Sequence, residues 1–261
     1  MKVKDVYAAL AAVAPVKTAE SFDNVGMLVG DAEQEITRAI VALDITREVA
    51  EEAVEKGANL LISHHPVFFE LKKVVEQDPK GSLVRFLIKN NLSAICMHTN
   101  MDKAQGGVND ALAEAVGLKN IKILINEGPY ENGTEFGLCR YGELEKEIEL
   151  NDFLKIVKKG LNPNGIRYNS CGKKVKLVAV GGGSCGDFIS SAVAAGCDTF
   201  LSADMKYNMF LSAPDTGMNI IDAGHFPTEN VVCPKLLKIV RDVGVPAFIS
   251  EKHREHVEYF L

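Results

Sequence analysis

Two short segments of the chain place a histidine four residues before a carboxylate. His98 precedes Asp102 in one of them, and His225 precedes Glu229 in the other. An adjacent histidine pair stands upstream at positions 64 and 65, so these three places hold four of the chain's 6 histidines. Because imidazoles and carboxylates are common ligands of transition metals, the pattern predicts a metal-dependent protein.

The segments around these residues alternate between short apolar runs and stretches of helical spacing. Continuous apolar strands separated by helices predict an α/β fold with a parallel sheet that is covered on both faces. The predicted strands are residues 40–43, 60–62, 92–97, 177–180, 199–201, 219–221 and 247–249. The predicted helices are residues 47–56, 79–91, 108–116, 150–159, 188–195, 205–211 and 227–243.

The two halves of the sequence resemble each other. Residues 53–63 align with residues 192–202 at a constant offset, with matching Ala-Val, Gly and Ser positions. We therefore divide the chain into a first half, 1–125, and a second half, 126–261, which begins with a connecting excursion at 126–170. All three histidine clusters follow predicted strands, and ligands of open α/β sheets bind beyond the carboxyl ends of the strands. The clusters are therefore expected to converge.

Each cluster also has an ordinary structural interpretation. The pair at 64 and 65 could be surface histidines at a turn. In a helix that begins near His225, Glu229 would share a face with it, but a carboxylate at a helix start is also favoured by the helix dipole. His98 and Asp102 are predicted to lie in a loop, because two glycines follow closely, and His98 could simply be a polar group satisfied at a strand end.

Two further segments leave alternatives open. Residues 181–186 read Gly-Gly-Gly-Ser-Cys-Gly, a pattern compatible with a tight turn, a phosphate-binding loop or a dinucleotide fingerprint. Residues 155–176 are basic and contain no acidic residue, which is typical of a solvated helix end or of an anion-binding or partner-binding patch. The internal alignment puts Asp204 in the place of His65, facing the same pocket.

Composition restricts the class of protein. The chain has 261 residues, a net charge of −6 and 6 scattered cysteines. The acidic balance argues against nucleic acid as a partner, and no apolar run reaches the roughly 20 residues of a membrane helix. The first residues do not have the pattern of a secretory signal, and scattered cysteines fit a reducing compartment, so we expect a cytoplasmic protein.

Four motifs together resemble the GTP cyclohydrolase 1 type 2 homolog family, also called the NIF-three-like proteins. They are Ser-Phe-Asp-Asn-Val-Gly-Met-Leu-Val-Gly at 21–30, Ser-His-His-Pro at 63–66, His-Thr-Asn-Met-Asp at 98–102 and Gly-His-Phe-Pro-Thr-Glu at 224–229. The resemblance covers the whole chain in the right order and indicates the short form, without the domain that some members insert. Phe22 stands where a tryptophan is often found.

The resemblance implies two similar βαβ halves packed face to face with a metal site between them. It implies two divalent transition-metal ions, which the donor types leave open among zinc, iron, manganese, cobalt and nickel. It also implies a ring-shaped homohexamer. The ligands carried over by motif are His64, His65, Asp102, His225 and Glu229, with His98 nearby as a further ligand or as the catalytic group that moves a proton.

The activity implied by the resemblance is hydrolysis of a purine nucleotide, namely opening of the guanine imidazole ring of GTP by a metal-activated water. Two other functions use the same residue types. One is a ring-shaped metal-binding scaffold without turnover, and the other is a two-metal phosphoesterase.

Overall fold

Two β-sheets organise the chain in the computed structural model, which describes residues 1–260. Residues 1–101 and 232–254 form one unit, and residues 102–231 with the segment from Glu255 onward form the other. The C-terminal strand pairs with the first sheet, which puts residues 232–254 in the first unit. No helix within residues 1–260 is long and apolar enough to cross a membrane.

The first unit is built on a five-stranded sheet of order β1-β4-β3-β2-β11. Its strands are β1 (Gly26–Val29), β2 (Ala39–Ala42), β3 (Leu60–Ser63), β4 (Ser93–Cys96) and β11 (Ala247–Ile249). Its helices are α1 (Val3–Val13), α2 (Arg47–Glu55), α3 (Pro79–Lys89) and α11 (Cys233–Asp242). Strands β2, β3, β4 and β11 are parallel, as predicted, whereas β1 is an antiparallel edge strand that the sequence analysis missed.

Local signals explain the helices of this unit. The Thr46 side chain accepts a hydrogen bond from Val49 N at the start of α2, and Asp78 accepts one from Gly81 N at the start of α3. Such caps satisfy backbone donors that have no partner within the helix. The apolar faces of α2 and α3 then pack with the sheet in one buried cluster.

The second unit is built on a six-stranded sheet of order β5-β6-β8-β9-β10-β7. Its strands are β5 (Lys119–Pro129), β6 (Glu135–Ile148), β7 (Arg167–Asn169), β8 (Val175–Val180), β9 (Thr199–Ser202) and β10 (Asn219–Asp222). Its helices are α5 (Val108–Ala115), α6 (Leu150–Leu161), α7 (Ile189–Ala194), α8 (Tyr207–Leu211), α9 (Ala213–Thr216) and α10 (His225–Glu229). Helix α4 (Thr99–Lys103) carries the chain from the first unit into the second.

The predicted connecting excursion is a structured part of this sheet. Strands β5 and β6 form a long antiparallel hairpin, and β7 pairs antiparallel with β10, so only the core β8-β9-β10 is parallel. Isoleucines at 121, 123 and 125 do alternate along β5. This alternation is typical of a strand, but the glycine, asparagine and charged residues around it are typical of a loop. They occur here because β5 is an edge strand whose side chains are largely exposed.

The predicted similarity of the two halves is confirmed at the level of local structure. Residues 53–63 and 192–202 each contain the end of a helix, a glycine with positive φ and a buried parallel strand. The predicted helix 227–243 is interrupted, however. Helix α10 ends at Glu229, a 3-10 turn follows at Asn230–Val232, and α11 starts at Cys233 with Pro234 in its first turn. Proline has no N–H to continue the preceding helix.

Candidate metal centre

Three histidines of the first unit lie together at the carboxyl ends of neighbouring strands. His64 and His65 follow β3, and His98 follows β4, which is the parallel neighbour of β3. One ring nitrogen of each lies within 4.8 Å of those of the other two. His64 is fully buried, whereas the side chains of His65 and His98 are 21% and 14% exposed. The cluster could therefore hold a metal ion that solvent can reach.

The orientation of these rings is fixed by hydrogen bonds at Nδ1. The acceptors, each at 2.8 Å, are the Met97 carbonyl for His64, Asp44 Oδ1 for His65 and Asp23 Oδ1 for His98. Because carbonyl and carboxylate oxygens only accept, the hydrogen of a neutral ring must be on Nδ1 and the lone pair on Nε2. Metal-binding histidines typically show this arrangement.

Asp23 lies in the motif at 21–30 and is a functional candidate that the sequence pattern did not reveal. Its side chain is fully buried. Burial alone would raise the pKa of Asp23, but hydrogen bonds from His98 and Thr99 outweigh it and hold the pKa at about 2. Asp23 Oδ2 also accepts from Thr99 N at 3.0 Å and from the Thr99 hydroxyl. One carboxylate therefore orients His98 and caps α4.

This capping corrects the prediction that residues 98–102 form a loop. Asp102 lies in the short helix α4, whose first amide is satisfied by Asp23 from a distant part of the chain. Sequence spacing could not reveal that cap. The two glycines at 106 and 107, which suggested a loop, come after the helix has ended.

A second group of donors lies in the second unit. Helix α10 begins at His225, two residues before the predicted start at 227, and His225 Nε2 is 2.9 Å from Glu229 Oε2. Ligand atoms about 2.1 Å from one ion lie roughly 3 Å apart, so this spacing suits a shared metal. A carboxylate oxygen of Asp102 lies within 4.8 Å of one of Glu229. Asp204, expected in the pocket from the internal alignment, is 2.6 Å from His225 Nδ1.

The charges of this group are tightly coupled. Burial lowers the pKa of His225, but hydrogen bonds to Asp204 and Glu229 outweigh that effect and raise the pKa to about 11. The hydrogen bond from His225 lowers the pKa of Asp204, against the opposing effect of burial. The group thus concentrates negative charge around one imidazole, which favours a cation at this place.

Buried Arg140 holds the residues that follow Asp102. Its guanidinium makes two 3.0 Å bonds to the carboxylate of Asp110 and donates to the carbonyls of Lys103 and Ala104 at 3.3 and 3.0 Å. The arginine is on β6, inside the excursion that the sequence analysis treated as a connection. The excursion therefore helps to fix the end of α4.

The glycine loop packs against the donors of the second unit. The amides of Gly182, Gly183 and Cys185 donate to Asn109 Oδ1, Thr228 Oγ1 and Ser202 Oγ, at 2.9, 3.1 and 3.0 Å. Because these amides are already used within the fold, they favour the structural turn over a phosphate-binding loop. Gly183 has φ +63, and a Cβ there would overlap Glu229 Oε1.

The basic stretch at 155–176 also bonds mainly within its own unit. Lys155 pairs with Asp152, Lys174 pairs with Glu149, and Lys176 donates to backbone carbonyls of β6. These contacts favour the solvated helix end over an anion-binding patch.

The residues present fit a transition metal. The first unit supplies imidazole nitrogens, the second supplies imidazole nitrogen and carboxylate oxygens, and the four imidazoles at 64, 65, 98 and 225 are each held through Nδ1. These donor types are suited equally to zinc, iron, manganese, cobalt and nickel.

Comparison with known protein families identifies the family of this chain. The family model Duf34/NIF3 (NGG1p interacting factor 3) matches residues 1–255. This chain belongs to that family. Proteins described as "GTP cyclohydrolase 1 type 2 homolog" are similar to it: one from Clostridium perfringens is 34% identical over 99% of this chain and 100% of its own length. Another, from Clostridium acetobutylicum, is 33% identical over 97% of both chains.

Solved structures of the family have the same fold. A hypothetical protein from Staphylococcus aureus has a TM-score of 0.91 at 31% identity, covering 100% of this chain and 99% of its own. A Bacillus cereus protein related to NIF3 has a TM-score of 0.90 at 24% identity, again covering 100% and 99%. The resemblance seen in the four sequence motifs is therefore confirmed, as is the α/β fold with two similar halves.

Proposed function

We propose that this protein is a hydrolase that uses two divalent metal ions. Five residues would hold the ions: His64, His65, Asp102, His225 and Glu229. The observation that carries the proposal is that the rings of His64, His65 and His225 are all oriented through Nδ1, the usual arrangement of metal-binding histidines. Histidines that only fill a surface turn have no reason to share this pattern.

The exposure of the donors favours catalysis over a closed structural site. His65 and His225 have side chains that are 21% and 40% exposed, so water can approach them. Divalent ions at such a site would lower the pKa of water and polarise the substrate. A structural zinc site, in contrast, is usually closed by four protein ligands.

His98 is the proposed proton carrier. Asp23 holds its Nδ1, so its Nε2 would take the proton of the attacking water and deliver it to the leaving nitrogen. The buried carboxylate stabilises the imidazolium formed between these two transfers, as an orienting aspartate does in other proton-transfer sites.

The proposed substrate is a purine nucleotide, and the proposed reaction is opening of the imidazole ring, as in the name of the Clostridium relatives. A feature of the first unit supports a planar substrate. Phe69 is half exposed, and its ring centroid is 5.6 Å from that of His98. An exposed aromatic ring beside the proton carrier offers a stacking surface for a base.

Elemental analysis of the purified protein and a substrate screen test the proposal. We expect close to two transition-metal ions per chain in the wild type, and fewer in His64→Ala and Glu229→Ala. GTP and other purine nucleotides would be incubated with metal-loaded protein, and ring-opened products would be measured by mass spectrometry. Phosphodiesters in the same screen detect the alternative phosphoesterase.

The outcomes separate the possible functions. Wild type without metal would contradict the whole proposal. Two ions bound without turnover of any substrate would instead support the metal-binding scaffold.

We further propose, from the family resemblance, that the protein is a cytoplasmic homohexamer. Its mass in solution, measured by light scattering, tests the assembly.

A further inference from the structure

Asn109 is a buried side chain in the first turn of α5 to which the proposed reaction gives no role. It is 1% exposed. Its Nδ2 donates to the Asp102 carbonyl at 2.9 Å, and its Oδ1 accepts from Gly182 N at 2.9 Å. One amide group therefore joins the backbone of a proposed ligand to the glycine loop.

The glycine loop, in turn, packs closely against Glu229. Gly183 N donates to Thr228 Oγ1, the residue next to Glu229. A Cβ on Gly182 would lie 3.3 Å from Glu229 Cγ, and one on Gly183 would meet its carboxylate. The loop backbone thus limits where the Glu229 side chain can lie. The hydrogen bond from Gly182 N to Asn109 holds the loop in that place.

We propose that Asn109 is a positioning residue that sets the separation of the Asp102 and Glu229 carboxylates. The inference rests on the proposed metal function. The role needs a donor and an acceptor in one short, rigid group, which asparagine provides. Leucine has a similar size but neither function, so Asn109→Leu would leave both the Asp102 carbonyl and the Gly182 amide without this partner.

Asn219 offers a matched control in the same unit. It is also fully buried, and its amide likewise bridges backbone groups, accepting from Cys171 N at 3.0 Å and donating to Lys173 O at 3.1 Å. It stands at the start of β10, whereas His225 follows the end of that strand. Substitution there removes a comparable buried amide without touching the proposed ligands.

The test measures zinc affinity by competition with a chromophoric chelator. The proteins are the metal-stripped wild type, Asn109→Leu, Asn109→Ala, Asn219→Leu and Asn219→Ala, each checked for folding by circular dichroism. We expect zinc affinity to fall about 10- to 100-fold in the Asn109 variants, as it does when outer contacts of metal ligands are removed. The Asn219 variants should lose thermal stability but bind zinc within about twofold of the wild type.

Two results would overturn the inference, for different reasons. Asn109 variants that bind zinc as well as the Asn219 variants would show that Asn109 is only structural, while the metal site stands. Wild type that takes up no zinc, manganese, iron, cobalt or nickel would remove the proposed function itself. The alanine variants make the comparison possible if leucine at either position prevents folding.

Discussion

Asp23 and His98, 75 positions apart in the sequence, are joined by a 2.8 Å hydrogen bond between Oδ1 and Nδ1. The carboxylate is fully buried, and its pKa is held at about 2, so it stays ionised at all physiological pH values. A histidine that is oriented by a buried carboxylate is suited to carry protons. The same carboxylate accepts a hydrogen bond from Thr99 N, the first amide of α4, so it holds His98 and α4 together.

Asp23→Asn tests this pair. The substitution keeps the shape of the side chain but removes the charge that orients and stabilises the ring. We expect turnover to fall by about 10²- to 10⁴-fold, the usual range for general acid–base groups, with metal content unchanged. Turnover and metal content would be measured on the same sample, beside surface variant Asp31→Asn as control. Loss of metal together with turnover would instead assign Asp23 to holding α4 in place.

Gly183→Ala is expected to disturb the donors of the second unit directly. The added Cβ would overlap Glu229 Oε1 and lie 3.1 Å from His225 Cε1, so the carboxylate has to move. We expect metal affinity to fall at least about tenfold, as for other changes that displace a ligand. Isothermal titration with zinc measures the effect.

Gly196→Ala separates this overlap from backbone strain. Gly196 also has a positive φ, +81, but nothing lies within 4 Å of an added Cβ. Both variants carry the strain of a side chain in the left-handed region, about 1 kcal/mol or more. Equal zinc affinity in the two variants would contradict the proposed contact with Glu229.

The sequence predicted which histidines lie close together, but it did not predict the groups that orient them. His64, His65 and His98 were found because they follow strands of a recognisable α/β pattern, and parallel neighbours bring strand ends together. Their Nδ1 partners Asp44 and Asp23 come from other parts of the chain. No local spacing connects these aspartates with the histidines, so their roles are visible only in the folded chain.

Two elements of the fold differ from the prediction, each for its own reason. Strands β5 and β6 pair with each other and with β8, but the exposed edge strand carries too much polar sequence to resemble a buried strand. Helix α4 is capped by a residue far away in sequence. The glycine loop satisfied a nucleotide-binding pattern, and only its hydrogen bonds show that its amides are used internally.

Phe69→Ala tests the proposed stacking surface. If a base stacks on this ring, its removal should raise KM by about 5- to 100-fold, since stacking on an aromatic side chain contributes roughly 1–3 kcal/mol per base. Phe69→Tyr should stay near wild type because it keeps the aromatic face. Steady-state kinetics on the purine substrate identified in the screen would provide both constants.

Ile88→Ala is the control for this experiment. Ile88 is another exposed apolar side chain of the first unit, at 61% exposure, but it lies on α3. Its removal should leave KM unchanged. A Phe69→Ala variant that changes kcat but not KM would contradict a role in binding the base.

Glu52 predicts how the stability of the first unit responds to acid. The side chain of Glu52 is 1% exposed, and Lys56 forms an ion pair with it. Its carboxylate also accepts hydrogen bonds from Glu251 N at 3.0 Å, from Lys252 N at 3.1 Å and from the Ser250 hydroxyl. Burial raises the pKa of Glu52, but these hydrogen bonds and the ion pair outweigh it and lower the pKa from 4.5 to about 2. The charged form is thus stabilised by folding.

Glu52→Gln should therefore destabilise the protein in a pH-dependent way. Since the folded pKa lies below the unfolded one, the contribution is complete above about pH 5 and is lost as pH falls toward 2. At pH 7 we expect a loss of roughly 2 to 3 kcal/mol in the free energy of unfolding, and the difference from wild type should shrink steadily below pH 4. Calorimetric melts from pH 7 to pH 3 measure this difference in stability.

Glu51→Gln, a change at the 54% exposed neighbour, is the control and should show no such trend. A Glu52→Gln deficit that is constant across this range would mean that the side chain acts by shape and neutral hydrogen bonding, not by charge.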